Sequence, residues 1–170
     1  MKKITLLFAF IGMISLQSCT VNEVRDNTVD NDTISEVYEV TRSFSTGNNF
    51  SSLVTLPHVI YSSDMVLVYR LSGVVSGTDV WKLQPETYYF PDGTLDFGYD
   101  FDFTQYDVNL FMHGFDLAGV SPNYRTNQVF RIVIVPGYFA KHAPSKDKSA
   151  YEDYEHVVAT FGKPTVQKIL

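Results

Sequence analysis

The sequence predicts a mainly β protein: a single antiparallel β-sandwich or barrel-like domain with a C-terminal α-helix. Three observations lead there. Aromatic residues are abundant, with 11 Tyr and 13 Phe in 170 residues, and such side chains suit the pleated, half-buried surface of strands. About eight short apolar runs follow one another, separated by turn clusters at close intervals. Helical spacing of apolar residues shows clearly only near the C-terminus.

Each element has its own justification. Residues 36–44 form a first strand with Tyr38, Val40 and Phe44 facing in, closed by the turn cluster Thr46-Gly47-Asn48-Asn49. Phe50 to Leu56 make a second, stopped by Pro57. Met65 to Leu71 is a near-continuous apolar run, as expected of a central strand covered on both faces. Ser72-Gly73 and Ser76-Gly77 bracket the turn into a strand carrying Val80, Trp81 and Leu83. Thr87 to Phe90 lead into Pro91-Asp92-Gly93, in which proline presets φ and glycine accepts a left-handed conformation.

The clearest pattern lies in the next strand. Leu95, Phe97, Tyr99, Phe101 and Phe103 alternate with Asp96, Gly98, Asp100 and Asp102. Side chains switch faces at every residue of a strand, so one face is aromatic and the other acidic. Apolar parity then shifts to Tyr106, Val108, Leu110 and Met112, which predicts a turn at 104–107 rather than one overlong strand. Residues 114–127 read as a loop, and Gln128 to Val135 as the last strong strand before Pro136-Gly137. The helix is expected over 149–161. Ser149 and Glu152 would form its capping box, Tyr151, Tyr154, Val158 and Phe161 its apolar face, and Gly162 and Pro164 its stop. It is expected to pack over an open end or edge of the strands. The domain is placed at 34–170.

The first 33 residues are of another kind. Residues 1–18 have the build of a secretion signal: Lys2 and Lys3, an apolar run of 11 residues from Ile4 to Ile14, then Leu16-Gln17-Ser18 before Cys19, the chain's one cysteine. The run is too short to span a bilayer, which takes ~20 residues for a ~30 Å core. An ordinary signal peptide with an incidental cysteine and a retained anchor are the alternatives. The segment resembles the signal of bacterial lipoproteins. That resemblance implies cleavage before Cys19 and a diacylglycerol plus an N-acyl chain on it, although Gln17 stands where a small or β-branched residue is usual. One acyl chain binds a membrane only reversibly, whereas two signals hold it. Thr20 follows the cysteine and no aspartate does, which by the family's sorting behaviour implies the outer membrane, on either face. Residues 20–33 are polar and acidic and read as a flexible tether, reaching at most ~46–50 Å.

Loss of Lys2 and Lys3 with the signal leaves 11 basic residues against 19 acidic ones, net −8. That argues against nucleic acid or anionic headgroups as partners, which call for clustered Lys and Arg. With Cys19 acylated no thiol remains, so neither disulfides nor thiol chemistry are expected.

Asp100 and Asp102 lie two apart on one strand face, with Asp92 on the preceding turn, and could offer oxygens to calcium. No Asp-x-Asp-x-Asp-Gly loop accompanies them, and a solvated face that discourages edge pairing is the plainer account. A glycosidase pair needs one acid in an apolar pocket, which this face does not supply. Trp81, Tyr88 and Tyr89 could form a sugar-stacking platform, or serve core packing with one tyrosine exposed. His58, His113, His142 and His156 show no metal spacing. His156 falls four residues after Glu152, which suits a surface ion pair. Gly-x-Ser-x-Gly and phosphate-cradling glycine loops are absent from the sequence.

From Glu36 to Ala140 the chain resembles a group of small, uncharacterised bacterial envelope lipoproteins. The residues concerned are Glu39-Val40-Thr41, residues 52–55, residues 66–71, Asp79-Val80-Trp81, the Pro91-Asp92-Gly93 turn with its aromatic alternation, and residues 128–136. Many members carry a collagen-like stretch after the cysteine. Residues 20–33 contain no glycine, so no collagen stalk is implied here. The resemblance brings no activity and no functional residues. The expectation is a non-catalytic accessory or binding subunit of a cell-envelope assembly, without cofactor, attached to the outer membrane through Cys19. A glycan- or calcium-binding surface module is the alternative, and a hydrolase with a scattered site the third reading.

Overall fold

The computed structural model describes residues 35–137, 148–161 and 165–170. Cys19, the tether, His142, Gly162 and Pro164 lie outside the described residues. Nine strands are described: β1 (Glu36–Arg42), β2 (Ser51–Thr55), β3 (Met65–Val75), β4 (Thr78–Leu83), β5 (Glu86–Tyr89), β6 (Leu95–Phe103), β7 (Asp107–Gly114), β8 (Gln128–Val135) and β9 (Val166–Ile169). Two short α-helices join them, α1 (Pro122–Arg125) and α2 (Tyr154–Thr160). A five-stranded sheet runs β4-β3-β8-β1-β9 and a four-stranded sheet runs β2-β7-β6-β5. The protein is a mainly β two-sheet sandwich, as its sequence predicts. All pairings are antiparallel except that of β9 with β1.

The core follows from strand alternation. Tyr38 and Val40 of β1, Val66 and Val68 of β3, Phe130 and Ile132 of β8 meet Phe97, Tyr99, Val108 and Leu110 of the other sheet. The odd-numbered inward positions of β6 become even-numbered ones in β7 because directly opposed residues share a face. Tyr99 pairs with Met112, Phe101 with Leu110 and Phe103 with Val108. The turn at 104–107 closes with the Thr104 amide on the Asp107 carbonyl at 2.9 Å. Tyr106 departs from the sequence expectation. It sits in that turn, before β7 begins, and is 60% exposed. At the Pro-Asp-Gly turn Gly93 has φ +85, and Asp92 Oδ1 accepts from the amide and hydroxyl of Thr94 at 2.9 and 2.7 Å.

The continuous apolar runs of β3 and β8 have a second cause. Alternate residues Leu67, Tyr69, Val133 and Val135 face away from the sandwich and are buried beneath Tyr154, Val157 and Phe161 of the C-terminal helix. So α2 lies on the outer face of the five-stranded sheet, not over an open end. Each large apolar side chain buried contributes ~1.5–3 kcal/mol, and that face offers several in a row. The helix is also shorter than predicted. Lys148–Tyr151 form a 3-10 turn, and α2 starts after Asp153, which is extended at φ −90, ψ 104. Asp153 Oδ1 accepts from the amides of Glu155 and His156 at 3.0 and 3.3 Å, the capping role that the sequence pattern assigns to Ser149. Glu152 therefore precedes the helix and does not sit one turn before His156 on it. Two further elements escape prediction from sequence: α1 within the 114–127 loop, and β9 after the helix.

Candidate functional site

The densest polar constellation lies between the sheets at Arg70, a buried residue near the middle of β3. All five of its guanidinium N–H groups have acceptors within reach. Nε and Nη2 reach Glu86 Oε2 at 2.9 Å, and Nη2 also donates to the Tyr88 hydroxyl at 2.7 Å. Nη1 donates to Gln128 Oε1 at 3.1 Å and lies 3.4 Å from the Leu71 carbonyl. The Tyr88 hydroxyl in turn donates to Glu86 Oε1 at 2.7 Å, where Lys82 Nζ also donates at 3.1 Å. Gln128 uses its amide nitrogen on the carbonyls of Asn123 and Thr126 at 2.9 and 2.8 Å. Arg70 lies 4.7 Å above the Tyr99 ring.

Electrostatics agree with this geometry. Burial by itself raises the Glu86 carboxyl, but the Tyr88 hydrogen bond and the Arg70 and Lys82 partners outweigh it and hold the group below its ordinary value. Burial and the bond to Glu86 raise the Tyr88 hydroxyl, although Arg70 opposes them. Tyr88 is thus neutral and Glu86 ionised. The open cleft of about 420 Å³ beside them is lined by Arg70, Lys82, Tyr88, Asn123, Tyr124 and Gln128, among others. Arg70 faces it with no N–H to spare. The constellation is a clasp between the sheets rather than a reaction centre. Sequence reasoning passes over it, although an arginine inside a buried strand requires a carboxylate from elsewhere.

The residues singled out from sequence do not converge. Trp81, on β4, lies on the outer face of the five-stranded sheet. The Arg131 guanidinium is 4.0 Å over its ring, and Tyr154 is 5.7 Å away. Tyr88, on the other sheet, points inward and stacks on Phe97 at 4.5 Å. Tyr89, its neighbour, is 64% exposed. No joint platform exists, because the three side chains occupy three different surfaces.

Asp100 and Asp102 do share the outer face of β6 with Asp96, as alternation requires. Asp92 does not join them. It caps its own turn, and the five steps of strand from Leu95 to Asp100 already cover ~17 Å. Asp100 Oδ1 accepts from the Phe101 amide at 2.8 Å. Among the described residues no three His, Cys, Asp or Glu side chains gather as a metal site would require. His58 is 2.8 Å from Glu36, and His113 lies on the acidic face over Gly98, where a Cβ would come within 2.6 Å of its Nε2.

That outer face of the four-stranded sheet is the second notable region. Directly opposed residues place Asn109, Phe111 and His113 of β7, and Ser51, Leu53 and Thr55 of β2, beside the aspartates. Leu53 is 60% exposed and Phe111 half-buried. The four strands contain no Lys or Arg. No described element covers this face.

Comparison of the chain with protein-family models, curated proteins and solved structures finds no match.

Proposed function

We propose that the protein is a lipid-anchored, non-catalytic accessory subunit of an outer-membrane assembly, attached through Cys19, that docks a basic partner protein through the open face of its four-stranded sheet. The charge of that face carries the reading. Asp100 pairs with Phe111, Asp102 with the Asn109 that also pairs with Leu53, and Asp107 with Thr55, while no Lys or Arg belongs to the four strands. An apolar patch flanked by charge of one sign suits association with a complementary surface, the apolar part holding and the charges steering. The non-catalytic part of the reading is supported by the saturated hydrogen bonding of Arg70, Glu86, Tyr88 and Gln128. Lipidation rests on the N-terminal pattern ending in Cys19.

Two experiments on intact cells test it. Replacing Cys19→Ser moves the protein out of the membrane fraction and abolishes incorporation of labelled palmitate. A photo-crosslinking residue at Leu53 gives an adduct of discrete higher mass, while one at His156 on α2 does not. The double change Asp100→Lys and Asp102→Lys removes the adduct. A Cys19→Ser chain that still sediments with membranes overturns the anchor, and no adduct from Leu53 overturns the docking face.

A further inference from the structure

The two ends of the sandwich differ in what their loops carry. Residues 56–60 lie against the β6–β7 turn. The Ile60 amide donates to the Gln105 carbonyl at 3.0 Å, and the Leu56 amide to that of Tyr106 at 2.8 Å. The Gln105 side-chain amide returns to the Ile60 carbonyl at 3.1 Å. These two loops expose Val59 (56%), Phe103 (44%), Tyr106 and Pro57. Residues 56–63 and 103–106 contain no Asp, Glu, Lys or Arg. The opposite end, ~27 Å away along β6 from Phe103 to Leu95, also exposes aromatic side chains, Phe115 (88%) among them. Its loops include Asp92 and Asp116.

The charge-free end is also the one that the chain enters first. β1 begins at Glu36, whose carboxylate lies 2.8 Å from Nε2 of His58, the neighbour of Val59. Residues 20–33 reach at most ~46–50 Å, so an acylated Cys19 keeps this end close to its bilayer. Attachment by the lipid makes any further contact with that bilayer an intramolecular event, for which a few side chains suffice. Phe supplies apolar area there, and Tyr combines an apolar ring with a hydroxyl suited to the headgroup level. The charged residues that border the two loops in sequence, Asp64, Asp102 and Asp107, are all acidic, which favours zwitterionic headgroups over anionic ones.

We propose that this end of the sandwich is a membrane-contact tip, with Pro57, Val59, Phe103 and Tyr106 set into the zwitterionic surface of the bilayer that holds the lipid. The tip rests on the reading of Cys19 as the anchor and is independent of the docking face.

Acylation of Cys19 leaves no thiol, so a cysteine introduced elsewhere is the chain's single labelling position. Val59→Cys, Tyr106→Cys and Phe115→Cys, each full-length and lipidated, are labelled with nitrobenzoxadiazole. They are placed in vesicles of phosphatidylethanolamine and phosphatidylcholine, with and without doxyl-labelled lipid. Labels at 59 and 106 are expected to shift to the blue and to lose fluorescence to the doxyl groups, whereas one at 115 does neither. Adding Phe103→Asp and Tyr106→Asp to the Val59→Cys chain abolishes that loss, with Tm followed to confirm folding. Equal quenching at all three positions, or none at 59 and 106 in vesicles that retain the protein, overturns the tip alone. A blue-shifted label that doxyl lipid does not quench is covered by protein instead, and overturns it as well. A wild type that takes up the label, or fails to float with vesicles, overturns the anchor and the tip with it.

Discussion

The two sheets of this sandwich solve the same burial problem differently. In the five-stranded sheet, β3 and β8 are covered on both faces, inside by the opposing sheet and outside by α2. In the four-stranded sheet only the inward face is covered by described elements. The charges divide the same way. Every Arg and Lys that forms a described ion pair with a carboxylate belongs to the five-stranded sheet. The four-stranded sheet contributes a single paired acid, Glu86, to a clasp whose bases come from the other sheet. Its remaining aspartates stay on the open face. A charge in the covered region is held by an opposite charge, whereas those on the open face have at most a local hydrogen bond from their own strand or turn, and the two should answer differently to the same perturbation.

The largest difference is expected at the clasp. Arg70→Met leaves Glu86 buried without its main counter-charge and should cost ~3–5 kcal/mol in chemical denaturation. Adding Glu86→Leu should recover much of that loss, and failure to recover any would deny that the two groups act as a pair. Tyr154→Ala removes the α2 anchor from Tyr69, Trp81 and Arg131 and should cost ~3–5 kcal/mol. Near-UV circular dichroism of Trp81 would fade with it.

A smaller effect is expected from acid. The Glu86 carboxyl is lowered in the fold relative to its ordinary 4.5, so its contribution is present above that pH and lost as pH falls through the folded value. The tyrosines behave oppositely. Burial raises Tyr69, Tyr88 and Tyr99 above 10.0, so their contribution is complete below pH 10 and lost as pH rises through the folded values. Glu86→Gln should flatten the acid limb of a stability-against-pH curve and also soften the alkaline limb, because the Glu86 charge helps to raise Tyr88 and Tyr99. Smallest of all, Asp100→Asn and Asp102→Asn should each shift stability by no more than ~0.5 kcal/mol. A larger loss would mean that the open face is part of the structural frame.

The same contrast explains what can be read in the sequence. β6 is legible residue by residue, because one wet and one dry face give strict alternation from Leu95 to Phe103. β3 and β8 are legible as covered strands, but what covers them is not, since a run such as Val66 to Tyr69 looks the same under a helix or a sheet. The helix start is misplaced by sequence because Ser149 and Glu152 satisfy the capping pattern as well as Asp153 does, and only the extended backbone at Asp153 decides. β9 has four residues and no turn signature of its own, and its pairing with β1 joins positions more than 120 apart. The clasp escapes for a related reason. Arg70, Glu86 and Gln128 lie on three strands of two sheets, and spacing along the chain carries no trace of their meeting. Of the ligand candidates, Trp81 packs against Arg131 of β8 and Tyr154 of α2, partners that its place in the chain does not announce.

The placement of β1 has a mechanical consequence. It is gripped on one side by β8 along its whole length, Glu36 to Arg42, and on the other by β9 from Val37 to Val40. Tension entering at Glu36 along the strand axis loads these rungs together, in shear, instead of peeling them one after another. The first described strand is thereby well suited to bear a pull.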